Sequence, residues 1–267
     1  MNKIELANGV FHYVFAPSEG RIISDTLVAI IDGNRALLID VGYVEEIKLV
    51  IDDLTKNGIN IETVIISHFH SDHYFGMQEL QNVPTYGGAG FEETFISEGY
   101  DEEHIKEAAP KFVVDKPTTI EFGAHKLEMI PMVGHSVCTL LVKINDEFLF
   151  VADDILTSID GQLTVPWLCG KGNRDELINK QLGAWEALRQ YADYKIIPAH
   201  GPAFDGSELI KYLDNLTTYL SAIQKANGKI SYEDAIKDCC HPPIDVPFRK
   251  NSSFKEKSWH EHNCKDR

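Results

Sequence analysis

Residues 65–74 read Ile-Ile-Ser-His-Phe-His-Ser-Asp-His-Tyr, "IISHFHSDHY", so three histidines and an aspartate fall within six positions after an apolar run. The run itself, "INIETVIIS" (59–67), reads as a strand. Residues two apart on an extended segment project to the same side, so His68 and His70 can share one ion, and the following turn aims Asp72 and His73 elsewhere. Imidazole suits zinc, iron, nickel or copper. A carboxylate in the same cluster suits a hydrolytic or di-iron centre better than a thiolate structural one. The bland alternative is a polar surface turn that happens to be rich in histidine.

The surroundings place this turn in a layered body. Upstream, "GVFHYVFAP", "DTLVAIIDG" and "RALLIDVG" are apolar or β-branched runs punctuated by turn residues. "YVEEIKLVIDDLTKNG" carries Val44, Ile47, Val50, Ile51 and Leu54 at helical spacing and stops at Asn57-Gly58. Residues 84–118 read as irregular, with one weak helix around Glu102–Ala109. Tyr86, Phe91, Phe95 and Tyr100 in this insert form either a satellite core or a lid. Downstream, "TTIEFG", "HKLEMIPMVG", "TLLVKIND" and "EFLFVAD" are strands at hairpin spacing. A long helix (roughly Arg174–Tyr191) and the strand "YKIIPAHG" follow. From Ser207 the expectation is two helices (Ser207–Asn227 and Ser231–Cys240) and a polar tail holding "WHEHNC", whose His260, His262 and Cys264 read as solvated. Two strand-rich halves with helices outside imply an α/β fold, and ligand sites in such sheets tend to lie beyond strand ends.

Composition narrows the function classes. The chain has 267 residues, 43% hydrophobic and 25% charged, as an ordinary globular protein does. A formal net charge of −16 argues against broad binding of nucleic acid or anionic membrane. The N-terminus has no sustained apolar core of a signal peptide, and no run approaches the roughly 18 residues of a membrane helix. Five cysteines, with Cys239 and Cys240 adjacent, do not read as a disulfide framework. A cytoplasmic protein acting on a small molecule is therefore the expectation. Cys138, Cys239 and Cys240 read as buried or inert thiols.

The His-x-His-x-Asp-His motif resembles that of the metallo-β-lactamase superfamily. That family follows the motif with three isolated ligands at the ends of later strands; here "PMVGHS" supplies His135, "FLFVADD" supplies Asp153 and "IIPAHG" supplies His200. The resemblance spans roughly residues 4–205. It implies an αββα sandwich, two mixed sheets face to face with helices on both outer sides. The division expected is a metal-binding domain over 1–206 and a helical extension over 207–267, which covers the pocket or forms a homo-oligomer contact. His68, His70 and His135 are implied to hold a first metal, and Asp72, His73 and His200 a second, with Asp153 bridging. Asp154 is a rival to Asp153, but strand alternation points neighbours to opposite sides. Ala152 stands where the family has glycine, and Val133 where it often has proline.

Two divalent ions, zinc by default with iron or manganese as alternatives, imply a bridging water made nucleophilic without serine or cysteine. Asp72 and Asp153 are the residues expected to act in catalysis. True β-lactamases of the superfamily lack the bridging aspartate, so the resemblance leans to the glyoxalase II and lactonase side and to an activated acyl bond. The tyrosine that lactonases carry soon after that aspartate is missing here. Rival readings are an iron-dependent, oxygen-using enzyme similar to persulfide dioxygenases, and a small-molecule phosphodiesterase. Trp167 and Lys171 in "LTVPWLCGKG" are the expected substrate contacts, an apolar wall with one cation for an acyl chain with an anionic end. Arg249 and Lys250 are further cationic candidates.

Overall fold

Short-range pairing builds the first sheet. Strands β1 (Asn2–Ala7), β2 (Val10–Val14), β3 (Thr26–Asp32) and β4 (Arg35–Ile39) pair antiparallel in chain order. Helix α1 (Val44–Lys56) then crosses over, and β5 (Asn60–Ile66) returns parallel to β4. The Glu46 carboxylate accepts from Tyr43 N (2.9 Å) to start α1, and its buried face is Ile47, Val50 and Leu54. β5 runs into the histidine turn, which holds the short α2 (Ser71–Tyr74) and a 3₁₀ turn (Phe75–Glu79). The computed structural model describes residues 1–17, 22–248 and 256–266; Arg249 and Lys250 lie outside them.

The insert is more regular than its sequence. It contains β6 (Thr85–Gly88), α3 (Phe91–Ser97), α4 (Glu102–Ala108) and β7 (Phe112–Val114), and both strands extend the first sheet in parallel. Strands of three or four residues are too short to register a period. Gly88 is needed in β6, because a Cβ there would collide with the Cys138 carbonyl. Phe91, Phe95 and Tyr100 pack as a satellite core, with Phe95 5.2 Å from Phe69 and 5.0 Å from Tyr74 between ring centroids.

The second sheet forms from β8 (Thr118–Phe122), β9 (His125–Met132), β10 (Thr139–Ile144) and β11 (Phe148–Phe150), all antiparallel. Helix α5 (Arg174–Leu188) crosses to β12 (Lys195–Ile197), parallel to β11, and β13 (Phe204–Asp205) closes the edge. The predicted last turn of α5 tightens to 3₁₀ over Arg189–Tyr191. Then come α6 (Gly206–Lys225), α7 (Tyr232–Ile236) and α8 (Trp259–Asn263). The sheets are seven-stranded, β1 to β7 in order, and six-stranded, β13-β12-β11-β10-β9-β8, both mixed.

Alternation explains why the strands read as continuous apolar runs. In β4, Leu37 and Ile39 face the inter-sheet core while Ala36 and Leu38 face the layer of α1; in β10 and β11, Val142 and Phe150 point inward while Leu141 and Leu149 meet α5 and α6. Both faces are buried, so neither is polar. This is the expected αββα sandwich. The segment from α6 onward shares its core with the second sheet. One expectation fails in the tail. His260 and His262 are buried rather than solvated, in α8, which starts on a Ser258 side-chain cap. His262 packs on Trp167, almost a hundred residues away, and His260 on Tyr219 and Tyr232, and these partners leave no trace in local sequence.

Candidate metal centre

Four strand ends converge at one rim. His68 follows β5, His135 follows β9, Asp153 follows β11 and His200 follows β12. Three bonds lock the two sheets together there: Leu140 N to Ser67 O (2.7 Å), Thr26 N to Ala199 O (3.0 Å) and Thr26 Oγ1 to Pro198 O (3.0 Å).

All seven residues expected from sequence meet. His70 Nδ1 lies 3.0 Å from both His68 Nε2 and His135 Nε2. Asp72 oxygens lie 3.5 Å from His73 Nε2 and 3.7 Å from His200 Nε2. Asp153 stands between the clusters: Oδ1 is 3.4 Å from His73 Nε2, and Oδ2 is 3.4 Å from His200 Nε2, 3.6 Å from His135 Nε2 and 4.0 Å from His68 Nε2. The sets His68/His70/His135, His68/His73/Asp153 and Asp72/His73/His200 each bring three donor atoms within 4.8 Å of one another.

Hydrogen bonding cannot account for this crowding. One Nδ1 has a single in-plane lone pair or proton, so it can satisfy only one of the two Nε2 atoms beside it. The buried His73 Nε2 and Asp153 Oδ1 make no hydrogen bond at all. Burial pushes His68 and His70 below the ordinary imidazole range, and His135 down to about 3, so those rings are neutral with open lone pairs. Burial opposes charge at His73 and His200 too, yet Asp153 and its neighbouring carboxylates hold both protonated, His200 up to about 10. A site of lone pairs and carboxylates that draws in protons is one that fits cations. The donor set, five imidazoles and two carboxylates, suits divalent transition metals.

The far ring nitrogens are fixed as metal-binding histidines require. Asp40 accepts from Ser67 N, Ser67 Oγ and His73 Nδ1 at 2.7–2.8 Å, so it orients His73 and the start of the motif. His200 Nδ1 faces Asp25 Oδ1 (3.1 Å) and Ser24 O (3.2 Å). His135 Nδ1 meets Trp167 O at 3.1 Å. Asp153 and Asp154 sit on a 3₁₀ turn (Ala152–Asp154), so strand alternation does not separate them. Instead Ala152 adopts φ 49°, the conformation for which the family keeps glycine. Asp154 turns away to accept from His135 N (3.0 Å) and Gln181 Nε2 (2.9 Å). Burial raises its pKa to about 6.

Sequence reading missed Asp40 and Asp25, and weighed Asp154 only as a rival ligand to Asp153 rather than as the acceptor that holds His135 N. Asp40 had a signal, an acid ending the apolar run "ALLID", whereas Asp25 and Asp154 become meaningful only through contacts across the fold. Of the two proposed substrate contacts, Trp167 lines a cavity of about 810 Å³ together with His70, Asp72, Asp153 and His200. Lys171 lines a small adjoining crevice with Cys169 and Lys180, which reaches His70 and His135 from the other side. Arg174 is buried against Asn227 and Cys264 O, a structural role. All five cysteines are free; Cys138 is buried, whereas Cys240 is exposed.

The sequence profile of the metallo-β-lactamase superfamily matches residues 19–200. The chain belongs to this superfamily. Solved structures of the superfamily share the fold. The metallo-β-lactamase from Pontibacter korlensis superimposes with a TM-score of 0.64 at 20% identity over 80% of this chain and 99% of its own. TMB-1 gives 0.62 at 22% over 82% and 98%. DIM-1 exposed to ceftazidime gives 0.62 at 19% over 81% and 95%. No functionally curated protein matches. Among the described residues, no helix is long and apolar enough to cross a membrane.

Proposed function

We propose that the protein is a dinuclear-metal hydrolase of activated acyl bonds, a thioester, lactone or similar ester, in a small molecule. The observation that carries this reading is Asp153, whose two oxygens stand 3.4–4.0 Å from four histidines drawn from both clusters. A carboxylate so placed could be shared by two ions. His68, His70 and His135 would hold one and Asp72, His73 and His200 the other. When bound, such ions supply Lewis-acid polarisation of a carbonyl oxygen and a water acidified toward neutral pH. Zinc is the default occupant, with iron and manganese accepted by the same donors.

The chain's own groups do the rest. Asp40, Asp25, Ser24 O and Trp167 O keep the rings aimed. Asp72, at the cavity wall beside His73 and His200, accepts the proton of the attacking water and orients it. Trp167 forms part of the cavity wall in front of these groups. The bridging carboxylate separates this site from the β-lactamase pattern of the superfamily, which favours thioester or lactone over β-lactam.

Initial rates on a thioester, a lactone, a phosphodiester and a β-lactam test the proposal, with zinc- and manganese-loaded protein and Asp153→Ala as control. Thioester or lactone turnover that falls at least about a hundredfold in the variant is expected for a group shared by both ions. Turnover of the phosphodiester alone would replace the acyl reading. Oxygen uptake by iron-loaded protein, with the panel silent, would replace hydrolysis.

A further inference from the structure

The cavity in front of the cluster has a lining that speaks to the non-reacting end of the substrate. Trp167, Phe248 and Trp259 contribute aromatic surface, and Asp25, Glu45, Glu46 and Glu98 contribute carboxylates besides Asp72 and Asp153. Among the described residues, no lysine or arginine lines it. We infer that the cavity takes a small molecule whose non-reacting end is an ammonium group, held against the rings of Trp167 and Trp259 and balanced by Glu45 and Glu98. The inference rests on the acyl-hydrolase reading only for the reacting end.

The aromatic surface is built rather than incidental. Trp167 stacks on His262 at 3.8 Å and 13°, and its centroid lies 5.5 Å from both Phe248 and Trp259. His262 Nε2 is bonded to Leu168 O (2.9 Å), and Asn263 bridges Pro166 O (2.8 Å) and Leu168 N (3.3 Å). Helix α8 therefore clamps the 166–169 loop and supplies part of the wall itself. Tryptophan faces attract cations through the ring quadrupole, and more so when water is partly excluded. The carboxylates come from other elements: Glu45 from the first turn of α1 and Glu98 from the end of α3, with Glu98 Oε1 3.8 Å from His70 Nε2. Asp25 is engaged by His200 and Glu46 caps α1, so an anionic tail would meet Glu45 and Glu98 and the field of a chain at −16, whereas a cation gains from both. Hydrolysis of such a thioester adds water across the acyl C–S bond. It yields a carboxylic acid and a thiol that retains the ammonium group, with no electrons exchanged.

Calorimetric titration of the metal-loaded full chain with choline and with its neutral isostere 3,3-dimethylbutan-1-ol tests the ammonium site without turnover. Choline should bind roughly tenfold more tightly. That preference should shrink to under about threefold in Trp259→Ala and, where the fold is safer because the residue is exposed, in Glu45→Gln. Equal affinities, or no binding of choline, would overturn the inference. Acetylthiocholine against 3,3-dimethylbutyl thioacetate supplies the kinetic arm, with kcat/KM expected to favour the cationic ester. A preference for the neutral ester overturns the ammonium site while leaving hydrolysis intact. A choline preference with no turnover of either ester overturns the hydrolase reading alone.

Discussion

His12 sits wholly buried on β2, one alternation from Val10 of the inter-sheet core, and neither ring nitrogen has a hydrogen-bond partner. Burial lowers its pKa from the usual 6.5 to about 4. The unfolded chain therefore takes up a proton first as pH falls. Stability contributed by the neutral ring is present above pH 6.5 and lost between about 6.5 and 4, by up to about 3 kcal/mol. His12→Leu removes this proton and should flatten that part of the acid limb. Denaturant unfolding of both proteins across pH 4–7, in chelator so that metal release does not contribute, measures it. Parallel curves would show that His12 reaches a partner when charged. The same scale explains which site residues were legible. His68, His70, Asp72 and His73 are a local motif, and one strand end delivers them whole. Asp25 is an ordinary acid until folding brings it to 3.1 Å from His200, 175 residues away.

At the scale of elements, the sheets were legible because both faces of most strands are buried and the runs are apolar throughout. Two things were not. β6 and β7 are too short to show a period, and α8 is polar by composition, so its burial depends on Trp167 and Tyr219 rather than on its own pattern. Asn263 shows how that polar helix is held. Almost fully buried, it satisfies Pro166 O and Leu168 N, the backbone on either side of Trp167. Asn263→Ala removes both of these buried hydrogen bonds and should cost about 1–3 kcal/mol. Because Trp167 O meets His135 Nδ1, the loosened loop should also raise KM more than it lowers kcat. Thermal unfolding beside steady-state kinetics checks both. A stability loss with KM unchanged would confine α8 to a packing role.

For the whole molecule, the metal centre is a junction between two sheets. β5 of the first sheet supplies four of the seven donors through the turn it enters, and the ends of β9, β11 and β12 in the second supply the other three. Ions that bind only this folded arrangement stabilise it by mass action, about 4 kcal/mol when free metal is a thousandfold above Kd. For a chain of this size each kcal/mol moves Tm by about 2–4 °C, so chelation should lower it by roughly 8–16 °C. The loss should be smaller at mildly acid pH than at pH 8. His73 and His200 are held protonated by Asp153 and its neighbours, and those protons replace part of the missing positive charge. Calorimetric scans with and without chelator at both pH values, with metal content measured on the same samples, test this. An unchanged Tm in verified metal-free protein would mean that the seam bonds of Leu140 to Ser67 and Thr26 to Ala199 hold the sheets in register unaided. The ions would then enter a framework that is already rigid, and their role would be confined to chemistry.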